Sequence, residues 1–136
     1  MLSTVERVLF LKSADIFGNI PTRDLVPVAA VADEVHFSPG ELLIRYGDRA
    51  DCLYIVLSGD VTVHPKGRNE VTVGEGAVLG EMGILSGRPR SADCIAVGDV
   101  TALRIGRDEF WELLGEYPAV ALGVIQVLVR RIETGQ

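Results

Sequence analysis

The sequence predicts a mainly β fold with flanking helices: an eight-stranded, jelly-roll-like β-roll, helices before it and a helix pair after it. Three observations carry that prediction. Between residues 34 and 106 short β-type runs arrive every eight to twelve residues, punctuated by glycine. On both sides of this segment the apolar residues return to helical spacing. The chain has 136 residues, 48% hydrophobic and 24% charged, which suits one globular unit able to bury about two-thirds of its unfolded surface. The expected organisation is a single domain, 1–136, with a helical lead at 1–33, the β-roll at 34–106 and C-terminal helices at 107–133.

Taken in order, "STVERVLFLK" reads as a short helix with Ser3 or Thr4 as N-cap and Glu6 in its first turn. "FGNIPTRDL" reads as a turn and a second helix with Thr22 as N-cap, and Pro27 either kinks that helix or marks where its regular part begins. The runs "EVHF", "ELLIRY", "CLYIVLSG", "DVTVHP", "NEVTVGE", "DCIAVGD" and "VTALRIG" then read as strands. Several alternate apolar and polar residues, which turns one face inward. "RDEFWELLGEYP" is a capped helix with Phe110, Trp111, Leu113 and Leu114 on or near one face. The last helix, "PAVALGVIQVLVRRIE", opens with Pro118 in its first turn and closes on a basic turn that suits the macrodipole.

The net charge of −6 argues against nucleic acid as a partner, because neutralising phosphates takes clustered cations; here the only lysines are Lys12 and Lys66 and the arginines are scattered. Cys52 and Cys94 lie inside apolar runs and read as buried free thiols, a disulfide being the alternative. No cleavable leader pattern is visible, and the apolar run 119–129 is shorter than the roughly 20 residues a bilayer needs. The expectation is a cytoplasmic chain without direct membrane insertion.

The stretch 79–92, "LGEMGILSGRPRSA", does not read as ordinary packing. Gly80 removes the Cβ that would obstruct a close ligand. "EMGIL" is long enough for one helical turn, whose first amides, Met82 and Gly83, point at a common spot suited to an anion. Pro89 sets the angle of Arg90, and arginine is the natural two-pronged partner of a phosphate. Glu81 beside an anion makes sense if it accepts a hydrogen bond from a nearby hydroxyl, as in a ribose phosphate. The combination describes a nucleotide site.

These residues resemble the phosphate-binding cassette of the cyclic nucleotide-binding domain family, whose core is Gly-Glu, eight residues, then Arg and two small residues. Here Gly80-Glu81 and Arg90-Ser91-Ala92 stand at that spacing. "FSPGELLIRYGDRADCLYIVLSGDVTV" is similar to the family's earlier strands, with Gly40, Gly47 and Gly59 at its turns, so the resemblance covers nearly the whole chain. It implies that Glu81 binds the ribose 2′-hydroxyl and Arg90 the equatorial oxygen of the cyclic phosphate. Met82, Gly83, Ser91 and Ala92 would complete the phosphate shell, with Val71 lining the base and Arg131 as a lid residue. Leu79 stands where Phe is frequent and Gly83 where Ala is frequent, both read as small-cost changes. A hydroxyl at Ser91 leaves cAMP and cGMP both open, with cAMP preferred.

The resemblance implies a regulatory receptor that passes binding through its C-terminal helices to an effector outside this chain. No catalytic constellation is visible, so no enzyme, cofactor or metal is expected. His36 and His64 lack the paired histidines and following glutamate of a cupin-like metal site. The alternatives are a degenerate β-roll interaction module that binds no nucleotide and, more distantly, a cupin-like enzyme. Between Pro118 and Val129 only Gln126 is polar, so one helix face is left for a second copy or for other domains of a longer protein. Gly123 in that helix favours a hinge or a close crossing.

Overall fold

The computed structural model describes residues 1–135. Helix α1 (Thr4–Ser13) starts with a capping box: Ser3 Oγ accepts from the Glu6 N–H and the Glu6 carboxylate accepts from the Ser3 N–H. Two 3₁₀ turns follow, Asp15–Phe17 and Thr22–Leu25, and then α2 (Val26–Val31). Thr22 is not an N-cap. Pro21 precedes a 3₁₀ turn there, and the regular helix starts only at Val26 with Pro27 in its first turn, where a missing N–H costs nothing.

Eight strands form two four-stranded antiparallel sheets. They are β1 (Asp33–Phe37), β2 (Leu42–Ile44), β3 (Cys52–Ser58), β4 (Val61–Pro65), β5 (Val71–Val73), β6 (Val78–Leu79), β7 (Ala92–Ala96) and β8 (Val100–Gly106). One sheet runs β1-β8-β3-β6 and the other β2-β7-β4-β5. Strand β6 is only two residues long, too short to show an alternation, and none of the seven strand-like runs in the sequence contains it.

The pleat of the first sheet separates two cores. Leu53, Ile55, Leu57, Leu103 and Ile105 face the helices, where they meet Leu11, Phe17, Leu25, Phe110 and Val124. Their neighbours Cys52, Tyr54, Val56, Val100 and Ala102 face the second sheet and pack with Phe37, Ile44, Val61 and Cys94. Strand β3 is buried on both faces, so it reads as a continuous apolar run rather than an alternation. Phe17 meets Phe110 edge to face at 6.2 Å, and Phe37 meets Tyr54 likewise at 5.5 Å.

Helices α4 (Arg107–Glu116) and α5 (Pro118–Thr134) close the helical layer. Phe110 and Leu113 are buried, whereas Trp111 is 45% exposed and not part of the core. No side chain caps α4; its N-cap is Gly106. Gly123 marks a close crossing: a Cβ there would sit 2.5 Å from Ile20 Cγ1 and 3.3 Å from the Ile20 backbone nitrogen. No single helix among the described residues is long and apolar enough to cross a membrane.

Candidate functional site

Register alone builds the floor of the site. Ile44 pairs with Cys94, Cys94 with Val63, and Val63 with Val71, so one row crosses all four strands of the second sheet. This row lines a cavity of about 860 Å³ whose opposite rim is the turn 79–92. Burial pushes the Cys94 thiol up to about 11, so at neutral pH it is an uncharged part of an apolar floor. Every residue of the cassette set, Gly80 to Gly83 and Arg90 to Ala92, lines this cavity, and so does Val71.

Arg90 is buried, at 6% exposure. Its guanidinium donates from Nη1 to the Gly80 carbonyl at 3.0 Å and from Nη2 to the Cys52 carbonyl at 2.5 Å, with the Asp51 carboxylate 3.8 Å away. Two backbone hydrogen bonds hold its own main chain against the loop 45–51: Gly47 N–H to Arg90 O and Arg90 N–H to Asp48 O. A guanidinium has five N–H donors, so donors remain for an anion in the cavity while the side chain is already oriented. Gly80 is required for this arrangement. Its φ is +87°, and a Cβ would collide with Arg90 Nη1 and lie 3.1 Å from Ile44 Cδ1. The space that sequence reasoning reserved for a ligand is taken by the arginine.

Glu81 opens α3 (Glu81–Ser86), the helical turn expected of "EMGIL". It is 9% exposed, and its Oε2 is buried without a hydrogen-bond partner. Burial pushes its carboxyl above the ordinary value, opposed by the charge of Arg131 and the Met82 N–H. A buried acceptor without a donor is costly for a fold to keep, and here it lines a cavity beside a fixed cation. That arrangement can accept a hydrogen bond from a hydroxyl while the arginine holds an anion attached to the same molecule.

An alanine at position 83 would require its surroundings to shift. A Cβ there would lie 2.8 Å from the Ala50 methyl, because the loop 45–51 packs directly onto α3. Among the described residues no group of three His, Cys, Asp or Glu side chains is placed to hold a metal ion. His36 and His64 are exposed and sit beside single carboxylates, Asp99 at 3.4 Å and Glu70 at 2.9 Å. Cys52 and Cys94 are free and buried.

The cyclic nucleotide-binding domain profile matches residues 34–117. The chain belongs to the cyclic nucleotide-binding domain family. It is 30% identical over 108 residues to a cAMP-dependent protein kinase regulatory subunit of Emericella nidulans, covering 78% of this chain and 26% of that protein. It thus spans about a quarter of that relative's length. Among solved structures it is similar to the N-terminal domain of a transcriptional regulator from Streptomyces coelicolor (TM-score 0.81, 28% identity, 93% of this chain and 94% of that one). It is also similar to the regulatory subunit of a cAMP-independent protein kinase A from Trypanosoma cruzi bound to guanosine (TM-score 0.79, 26% identity, 96% and 48%).

In this cyclic nucleotide-binding domain Arg131 lies apart from the main cavity. It lines a second one, of about 640 Å³, together with Asp15, Val78, Glu81, Met82 and Leu128. Its guanidinium is 2.6 Å from the Asp15 carboxylate and 3.6 Å from the Met82 sulfur. Glu81, Val78 and Met82 line both cavities, so the cassette is the wall between them. Sequence reasoning missed the floor residues Ile44, Val63, Val73 and Cys94. The alternation in "DVTVH" and "EVTVG" marks which side of each strand they occupy, but only register lines them up.

Proposed function

We propose that this chain is a single regulatory domain, 1–136, that binds a cyclic nucleotide, cAMP in preference to cGMP, and releases it unchanged. The observation that carries this reading is the polar pair at one end of an apolar row: a fixed, buried arginine and a buried carboxylate oxygen with no partner. Arg90 would take the cyclic phosphate, helped by the amides of Met82 and Gly83 and by Ser91 and Ala92. Glu81 would accept the ribose 2′-hydroxyl, which supplies the donor its Oε2 lacks. The base would lie over Val71 and its neighbours, which offer shape but no hydrogen bonds. The Ser91 hydroxyl is the polar group available to a guanine, and an apolar wall favours adenine, the less polar ring. The name of the Emericella relative points the same way.

The reading includes a route for the signal. Ligand at Glu81 would alter the field felt by Arg131, which α5 holds between Glu81 and Asp15. A ligand shifts such an equilibrium only through contacts that differ between states, and Arg131 exchanging Asp15 for the ligand side would supply one. The outer face of α5, with Leu122, Ile125, Val129 and Ile132 exposed at spacings of three and four, would then carry the change to a second copy or to another domain of a longer cytoplasmic protein. A degenerate module without a ligand has no use for an unpartnered buried carboxylate.

Titration calorimetry with cAMP, cGMP and guanosine, followed by analysis of the recovered nucleotide, tests the reading. The expected result is saturable one-site binding of cAMP, weaker cGMP, weakest guanosine, which lacks the phosphate, and intact cAMP afterwards. No binding would favour the interaction module, and turnover would favour an enzyme.

A further inference from the structure

A smaller cavity of about 260 Å³ adjoins the nucleotide cavity and shares Gly83, Arg88 and Pro89 with it. Three arginines converge on it, Arg49, Arg88 and Arg107, with Gly47, Gly83 and Gly87 between them. No acidic residue lines it, in a chain whose net charge is −6. Asp48, Asp51 and Asp108 are sequence neighbours, yet the Asp51 carboxylate lies beside Arg90 and none of the three lines this cavity. Among the described residues, Arg49, Arg88 and Arg107 form no ion pair.

The main chain that carries these arginines is fixed. Gly47 N–H donates to Arg90 O, Arg90 N–H to Asp48 O, and Arg107 N–H to Asp51 O at 2.7 Å, so the segments of Arg88 and Arg107 are both pinned to the loop 45–51 that carries Arg49. Gly87 N–H donates to Gly83 O and closes the fourth side. A Cβ at Gly47 or Gly87 would meet nothing within 4 Å, so the glycines leave that volume open. Three like charges held together without a counter-charge repel one another, and an anion that bridges them relieves this. Guanidiniums carried by three separate residues can each donate to the oxygens of a tetrahedral anion.

We propose that Arg49, Arg88 and Arg107 form a second anion site, specific for a phosphate group, adjoining the nucleotide cavity. The volume admits a phosphate or diphosphate. The group is presented either by a soluble polyphosphate or by a phospholipid headgroup.

Inorganic pyrophosphate is the soluble probe and phosphatidic acid in phosphatidylcholine vesicles the lipid one. The ¹⁵N amide spectrum is followed in the cAMP-saturated chain, which blocks the cassette, and in Arg90→Leu without nucleotide. The second background keeps the measurement independent of whether cAMP binds at all. The expected result is saturable movement of the Gly47, Gly87 and Arg107 amides with pyrophosphate, weakened about tenfold in each of Arg49→Ala, Arg88→Ala and Arg107→Ala. Arg49 and Arg88 are exposed, so their removal leaves the core intact. Co-sedimentation with vesicles that needs the same arginines identifies the headgroup as the source, and pyrophosphate binding without it identifies the soluble one. Shifts that match those given by chloride at equal ionic strength overturn the site. So does binding of either probe that survives Arg49→Ala and Arg88→Ala together.

Discussion

Replacing Glu81 by glutamine is expected to move stability and affinity in opposite directions. In the unliganded fold the carboxylate is 9% exposed and its Oε2 has no partner. An unsatisfied buried polar group costs about 1–3 kcal/mol, and more when charged. Glutamine keeps the shape and removes the charge, so a gain of about 1 kcal/mol at neutral pH is expected, or roughly 3–5 °C in Tm for a domain of this size. Arg131 is not stranded by the change, because Asp15 remains 2.6 Å away. The gain has a definite pH dependence. A carboxyl whose pKa is raised on folding gives stability that is full below its unfolded value and lost as pH rises through the folded one. The advantage of Glu81→Gln should therefore be present at pH 7 and vanish on acidification below the ordinary carboxylate range. Affinity for cAMP should fall meanwhile by about 1.5–3 kcal/mol, the worth of a hydrogen bond to a charged acceptor, or about ten- to a hundredfold. Thermal melts across pH and a calorimetric titration measure the two effects. A variant no more stable than its parent at pH 7 would refute the desolvated carboxylate, and unchanged affinity would refute the ribose contact.

Four further outcomes are expected. Arg90→Leu should lose about 3–5 kcal/mol of cAMP affinity, a hundred- to several-thousandfold, with Arg90→Lys between; near-normal affinity by calorimetry would place the phosphate elsewhere. The same substitution strands the Gly80 and Cys52 carbonyls, so its Tm should fall as well. Gly123→Ala gains about 1 kcal/mol of helix propensity, but its Cβ would sit 2.5 Å from Ile20 Cγ1 and overpacking costs about 1–3 kcal/mol; a raised urea midpoint would contradict this. Saturating cAMP should slow amide exchange at residues 119–132 as well as 80–92, and a change confined to the cassette would make α5 a passive cover.

Much of this molecule is readable without coordinates. The seven longer strands follow from runs bounded by glycine, the helix at "EMGIL" from its length, and the presence of Glu81 and Arg90 at one cavity from their places in the stretch 79–92. These are local features, dictated by alternation, capping and the left-handed backbone that only glycine adopts freely. What the sequence could not decide is set by contacts between distant residues. Gly80 looks like room for a ligand until the Arg90 guanidinium is found in that room. Gly123 suits a hinge or a crossing equally well until Ile20 packs against it. Arg131 suits a lid over the base, yet Asp15 holds it beside Glu81 at a second cavity. Arg49, Arg88 and Arg107 are scattered along the chain and line one cavity only because two segments bond to the loop that carries Arg49. Sequence determined which residue types the site contains, since that chemistry is local; tertiary structure decided which are free, because burial and partners exist only once the chain has packed.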